Sequence, residues 1–247
     1  MSLVISLYVR EGIVMASDSR LTINSEEPGP EGKNIYTLAA TMTDTNNKTF
    51  LAFNRIGIST FGQAAIQGIP VAGFIDSFIH QIDQTPNLSV EQFSRKLLEY
   101  FRKFDPIPDI GFHVGGYENS NQGPIPQIFR VVPLLNSYEL ANPPQDGQYI
   151  QGASWDGEGD ILARLIQPVT HQQGPGQSHE LPHFQIPWQI FTLQDAIDFA
   201  VYAIRTTIDS IRFQPRPKTV GGPIDVLVIK PDGTQWIAKK ELSISNN

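Results

Sequence analysis

Leu3-Val4-Ile5-Ser6-Leu7-Tyr8-Val9, then Arg10-Glu11-Gly12, then Ile13-Val14-Met15-Ala16-Ser17 is the stretch whose reading decides the fold. Two apolar runs rich in β-branched residues flank a short polar turn, which predicts a β-hairpin. Both runs are almost continuously apolar, so the strands are expected to be covered on both faces. A second strand pair, Lys48–Phe53 and Ile56–Phe61, turns at Asn54-Arg55. A closing hairpin is read at Ile224–Ile229 and Gln235–Leu242 around Pro231-Asp232-Gly233. Ile110–Glu118, Ile125–Val132 and Gln148–Gln151 supply further strand-like segments.

Helical patterns lie between these strands. Ala64–Ile82 reads as a helix that Pro70 should distort. Ser89-Val90-Glu91-Gln92 has the form of a capping box and opens an amphipathic helix to Phe104. Asp160–Ile166 is a short helical candidate. Thr192-Leu193-Gln194-Asp195 is a second capping box, and the helix behind it sets Ala196, Ala200, Ala203, Ile204, Ile208 and Ile211 along one face. Asn24–Asn34, with Pro28, Gly29, Pro30 and Gly32, reads as a loop or insertion, and Thr170–Trp188, rich in Gln, Gly, Pro and His, as a long loop. With no internal repeat and no linker, residues 1–247 are taken as one α+β domain of antiparallel sheets packed together with helices outside. An inserted hairpin or loop occupies about residues 21–46 and a long loop about 170–188.

Composition narrows the function. Of 247 residues, 40% are hydrophobic, enough for a sizeable core, and only 17% are charged, which points to surface covered by partners. The net charge of −7 argues against a nucleic-acid partner, whose phosphates require a basic face. There is no cysteine, so disulfides, zinc-thiolate sites and a cysteine nucleophile are excluded, which fits the cytoplasm. Met1-Ser2-Leu3-Val4 runs straight into a strand without a basic region and apolar h-region. No stretch approaches the roughly 18 apolar residues of a membrane span, so a soluble, cytoplasmic protein is expected.

Four spaced positions and three further stretches carry a resemblance. Asp18 lies sixteen residues after Ser2, inside Ala16-Ser17-Asp18-Ser19-Arg20, and Gly62 lies fourteen residues after Lys48. These spacings resemble the proteasome β-subunit pattern among N-terminal-nucleophile hydrolases. That pattern runs from a nucleophile opening strand one through an Asp-x-Arg strand end and a lysine opening strand three to a glycine that begins the first helix. Gly116-Tyr117-Glu118 with Gly123-Pro124 is similar to a hairpin of that family. Gly152-Ala153-Ser154-Trp155-Asp156-Gly157 and Val220-Gly221-Gly222-Pro223-Ile224-Asp225 look closer to its bacterial ancestral branch. The resemblance covers Ser2 to about Ile229 and implies a four-layer αββα sandwich of two antiparallel sheets.

It also implies chemistry. The free α-amine of an N-terminal nucleophile, with a pKa of about 7.7–8.0, can take its own hydroxyl proton directly or through water. In this sequence Ser2 would be the nucleophile, Lys48 the cation that lowers its hydroxyl pKa, and Asp18 the group that holds the lysine. Gly62 would give an oxyanion-binding N–H, helped by a helix N-terminus. Met1 must be removed, and the smallness of Ser2 suits methionine aminopeptidase. Arg20 and Ser154 are possible supporting residues, although the register around Ser154 is ambiguous. Phe50, Thr60 and Ala64 are placed by family position near a moderate apolar substrate pocket. The family's Asp-x-x-Ser before the paired glycines reads Pro217-Lys218-Thr219-Val220 here.

The implied protein is a peptidase or amide hydrolase acting on a peptide or amide, without cofactor or metal, assembled as a homo-oligomeric ring or spiral. Whether an ATP-dependent unfoldase feeds it is open. The alternatives are a catalytically inactive structural subunit of the same architecture and a small-molecule amidase. His171, His179 and His183 lie in a Pro/Gly-rich loop without helical phase, a poor frame for a metal. Asp105-Pro106-Ile107-Pro108-Asp109 offers paired carboxylates but reads as a rigid turn after the second helix. Trp155 lines a cleft or sits partly buried.

Overall fold

The computed structural model describes residues 2–28, 35–82, 88–121, 123–174 and 176–241. Along the chain, β1 (Leu3–Val9) and β2 (Gly12–Ser17) precede β3 (Leu21–Pro28) and β4 (Ile35–Thr43), then β5 (Thr49–Ala52) and β6 (Ile56–Gly62). A small ribbon of β7 (Ala65–Ile66) and β8 (Ile69–Pro70) leads into α1 (Val71–Ile82) and α2 (Val90–Phe101). Next come β9 (Ile110–Ser120), β10 (Gly123–Val132), β11 (Ser137–Leu140), β12 (Pro144–Gln145), β13 (Gln148–Tyr149) and β14 (Gly152–Gly157). The chain continues through α3 (Asp160–Ile166), β15 (Thr170–Gly174), β16 (Gln177–Glu180), α4 (Leu193–Arg212), β17 (Asp225–Lys230) and β18 (Gly233–Ala238).

Two five-stranded antiparallel sheets dominate, ordered β14-β1-β2-β17-β18 and β11-β10-β9-β6-β5. Leu3, Ile5, Leu7 and Val14 of the first sheet pack with Ala196, Ala200 and Ile204 of α4. Ile58, Phe112 and Val114 of the second pack with Phe78, Phe93, Leu97 and Phe101 of α1 and α2. A third cluster joins Ile13, Met15, Leu227 and Ile229 of the first sheet to Ile128 of the second. β1 and β2 are buried along nearly their whole length, which is why neither alternates polar and apolar residues.

Both capping boxes form. Ser89 Oγ accepts from Gln92 N at 3.0 Å while Gln92 Oε1 accepts from Ser89 N at 3.0 Å. Thr192 and Asp195 make the equivalent pair. Each satisfies backbone donors that a helix start leaves unpaired. Of the face read on α4, Ala196, Ala200, Ala203, Ile204 and Ile211 are buried and Ile208 is half-buried. Among the described residues no helix is long and apolar enough to cross a membrane.

Several elements differ from expectation. The first helix begins at Val71, not Ala64, because Gln67 and Gly68, both at positive φ, turn the β7–β8 ribbon, and Pro70 precedes the helix without distorting it. The second helix ends at Phe101 rather than Phe104. Asn24–Pro28 belongs to β3, which pairs with β4, whereas residues 29–34 of the expected loop lie outside the described residues. The expected loop Thr170–Trp188 contains the β15–β16 hairpin. Gly152–Gly157 is an edge strand on β1.

Candidate active site

Asp18 follows β2 directly, and the β1–β2 register sets it beside the start of β1. Its carboxylate is fully buried and accepts four hydrogen bonds. Oδ1 receives Leu3 N at 3.1 Å and Lys48 Nζ at 2.7 Å, and Oδ2 receives Arg20 N at 3.2 Å and Gly221 N at 3.0 Å. Leu3 N is bonded to the carbonyl carbon of Ser2. One carboxylate oxygen therefore holds both the peptide that follows Ser2 and the Lys48 ammonium. Lys48 and Asp18 side chains are 2% and 0% exposed. Such a pair is costly to desolvate and persists only when other hydrogen bonds complete it, as the backbone N–H groups do here. Burial pushes Lys48 below the ordinary lysine value, and the adjacent Asp18 carboxylate opposes that shift.

Ser2 is 4% exposed. Its carbonyl accepts from Glu158 N at 2.8 Å. A Cβ at Gly157 would stand 1.8 Å from that oxygen, and Gly157 has φ of +95°, so glycine is required there by both space and conformation. The Glu158 carboxylate accepts from Arg216 Nη1 at 2.9 Å and from Thr219 Oγ1 at 2.7 Å. The Glu158 backbone thus stands next to Ser2 while Arg216 and Thr219 hold its side chain, although the sequence does not single out Glu158 or Arg216.

The Arg20 guanidinium forks onto Asp44 at 2.6 and 2.7 Å and donates to the Lys218 carbonyl at 3.2 Å. That fork raises the Arg20 pKa and holds Asp44 below its usual range. A Cβ on Gly221 would fall 2.5 Å from Arg20 Cζ, which explains the first of the paired glycines. Ser19 reinforces the same loop, N to Gly221 O at 2.9 Å and Oγ to Pro223 O at 2.6 Å. Arg20 therefore anchors the segment that carries Asp18.

Gly62 ends β6 with φ of +91°. Two residues earlier, Thr60 N donates to Lys48 O at 2.9 Å, which ties this strand to the lysine. The helix N-terminus expected behind Gly62 is absent from that place, because the β7–β8 ribbon intervenes and α1 starts at Val71. Gly62 instead borders an open cleft of about 570 Å³ shared with Thr22, Ile23, Ala64 and Asp109. Of the three expected pocket residues, Ala64 lines this cleft, Phe50 packs into the core with α1 and α2, and Thr60 is buried. Ser154 pairs with Ser6 on β1, while Leu3 pairs with Gly157, so Ser154 is not brought to Ser2.

A second buried polar cluster was not visible in the sequence. Ser6 Oγ lies 2.9 Å from His113 Nδ1, His113 Nε2 lies 2.9 Å from Asp156 Oδ2, and Arg130 grips Asp156 at 2.8 and 2.9 Å. Burial raises the Asp156 pKa, but the hydrogen bonds from His113 and Arg130 outweigh it and hold the carboxyl below its ordinary value. His171 and His179 face each other across β15 and β16 at 5.3 Å between exposed rings. No protein-family model matches the chain, and no curated protein matches it.

Proposed function

We propose that this chain is an N-terminal-nucleophile hydrolase of the proteasome type, a four-layer αββα sandwich whose peptidase or amidase chemistry starts from Ser2 once Met1 is removed. Met1 lies outside the described residues. The observation that carries the reading is the bridge made by Asp18 Oδ1 between Leu3 N and Lys48 Nζ. It sets a buried cation beside the start of β1. The cation stabilises negative charge developing on the Ser2 oxygen.

In this mechanism the neutral α-amine of Ser2 takes the hydroxyl proton as Oγ attacks the substrate carbonyl carbon. The carbonyl π pair moves to oxygen, where the Gly62 N–H is the candidate donor. Collapse of the tetrahedral intermediate breaks the C–N bond, and the ammonium proton passes to the leaving amine. Water then adds to the Ser2 ester, giving its proton to the same amine, and as the C–Oγ bond breaks the ammonium returns that proton to Oγ, releasing the acid and restoring the Ser2 hydroxyl. Lys48 stays protonated throughout. No metal or cofactor enters. Assembly into a homo-oligomeric ring or spiral in the cytoplasm belongs to the same proposal.

Intact mass of the protein from its native cell, with hydrolysis of a panel of peptide and acyl amides, tests it. The expected result is loss of Met1, turnover, and at least a hundredfold drop in kcat for Ser2→Ala, in line with removal of a nucleophile. Retained Met1 without turnover overturns it. One observation favours a non-catalytic subunit of the same architecture: Ser154, a possible amine partner, stands opposite Ser6 instead of Ser2.

A further inference from the structure

Asp109 is exposed on the segment entering β9, and its backbone position is fixed from both sides. Its carbonyl accepts from Gln63 N at 2.7 Å and its N–H donates to Gln63 Oε1 at 3.3 Å. Gly62 makes this approach possible, since a Cβ there would be 2.6 Å from Asp109 O. The carboxylate is therefore carried on a braced edge beside the cleft that Gly62 borders. Among the described residues that line the cleft, Asp109 is the only charged one. Among the described residues it also forms no ion pair, whereas Asp18, Asp44, Asp225 and Glu158 each have a cationic partner.

The rest of the cleft suits a long side chain. Gly62, Ala64, Ala65 and Gly68 leave room along its wall, and Ile23, 44% exposed, offers apolar surface to a methylene stem. Its volume of about 570 Å³ falls within the range of ligand pockets. An unpaired carboxylate at a cleft wall, in a chain of net charge −7, attracts cations and repels anions. We propose that this cleft takes the side chain of an arginine or lysine residue of a peptide substrate, with Asp109 as the residue that selects positive charge. The inference rests on the hydrolase reading in one respect only. If Gly62 N–H binds the oxyanion, the side chain entering the cleft belongs to the residue whose carbonyl is attacked.

The test compares fluorogenic tripeptide amides with Arg, Leu or Glu before the scissile bond, using the full-length protein, Asp109→Asn and Asp109→Lys. The wild type should favour Arg over Leu in kcat/KM by about fivefold, the upper range for a solvent-accessible ion pair. Asp109→Asn should remove that preference by lowering kcat/KM for Arg about fivefold, and Asp109→Lys should turn it toward Glu. A wild-type preference for Leu or Glu, or an Arg preference that survives Asp109→Asn, overturns the inference. Benzamidine binding to the Ser2→Ala protein, followed by NMR shifts at Gly62–Gly68, separates this from the catalytic reading. Binding lost in the Ser2→Ala, Asp109→Asn double variant supports the cation site even if no amide is ever hydrolysed. Binding that is absent, or unchanged by Asp109→Asn, overturns it.

Discussion

Two buried polar clusters touch β1 three positions apart, at Leu3 and Ser6, and they solve the problem of burying charge in opposite ways. At Ser6, every group has a home. Ser6 can donate to His113 Nδ1 while His113 Nε2–H donates to Asp156, so one neutral tautomer satisfies the chain, and Arg130 neutralises Asp156 with a guanidinium 31% exposed to water. At Asp18, the cation itself is sealed. Lys48 has no path to solvent comparable to that of Arg130, and burial drives its pKa down against the pull of its partner. A satisfied network specifies packing, whereas a desolvated ammonium held beside a chain start is an electrostatic resource for chemistry.

Breaking the sealed pair should have the largest effect. Lys48→Met strands a buried carboxylate and should cost about 3–5 kcal/mol in urea denaturation, with hydrolysis abolished. Adding Asp18→Asn, which removes the stranded charge and keeps one acceptor oxygen for the backbone N–H groups, should recover part of the stability and none of the activity. A loss below about 1 kcal/mol for Lys48→Met would mean that Asp18 is reached by water and the contrast is wrong. The other cluster should respond more mildly. His113→Leu leaves the Ser6 hydroxyl without its partner but keeps Asp156 on Arg130, for a cost of about 2 kcal/mol. Activity per folded molecule should persist, and its disappearance would assign His113 to the chemistry.

The smallest effect is a displacement of the pH profile. In the proposed mechanism the α-amine must be neutral, so the rate should rise through about pH 7–8. Lys48 must be charged, and because burial lowers its pKa, the cation is lost before the ordinary lysine value of 10.5 is reached. The alkaline limb should therefore fall below pH 10.5. In a Ser2→Ala background the same shift has a stability consequence. Between the two lysine pKa values the unfolded chain binds the extra proton, so folding stability should rise with pH across that window. An alkaline limb at or above 10.5 would show that Lys48 is not desolvated in solution.

The sequence was most legible where the signal is local. The β1–β2 hairpin announces itself through unbroken apolar runs, and the two capping boxes through side chains three residues apart. β14 was illegible as a strand because Gly-Ala-Ser-Trp-Asp-Gly carries no β-branched residue, and only pairing with β1 makes it one. The start of α1 was misplaced because the apolar character of Ala64–Ile69 outweighed the turn signal at Gly68. The spacing from Ser2 to Asp18 and the choice of Lys48 came from the resemblance to a family pattern, and the β1–β2 register is what sets Asp18 beside the start of β1. The Glu158 and His113 contacts could not be read from the sequence. They join segments brought together across 61 and 107 residues, beyond any periodicity in the chain.

Gly221 donates to Asp18 across a separation of 203 positions. A nascent chain emerging from the ribosome carries Ser2, Asp18, Lys48 and Gly62 long before the Gly-Gly loop has been synthesised. Contacts of such sequence separation close last, because the loop entropy must be spent first. The carboxylate is thus left one donor short, and Arg20 without the Lys218 carbonyl, until nearly the whole polypeptide has been made. On the proposed hydrolase reading, late completion of this kind works as a timer that keeps the site disarmed during synthesis.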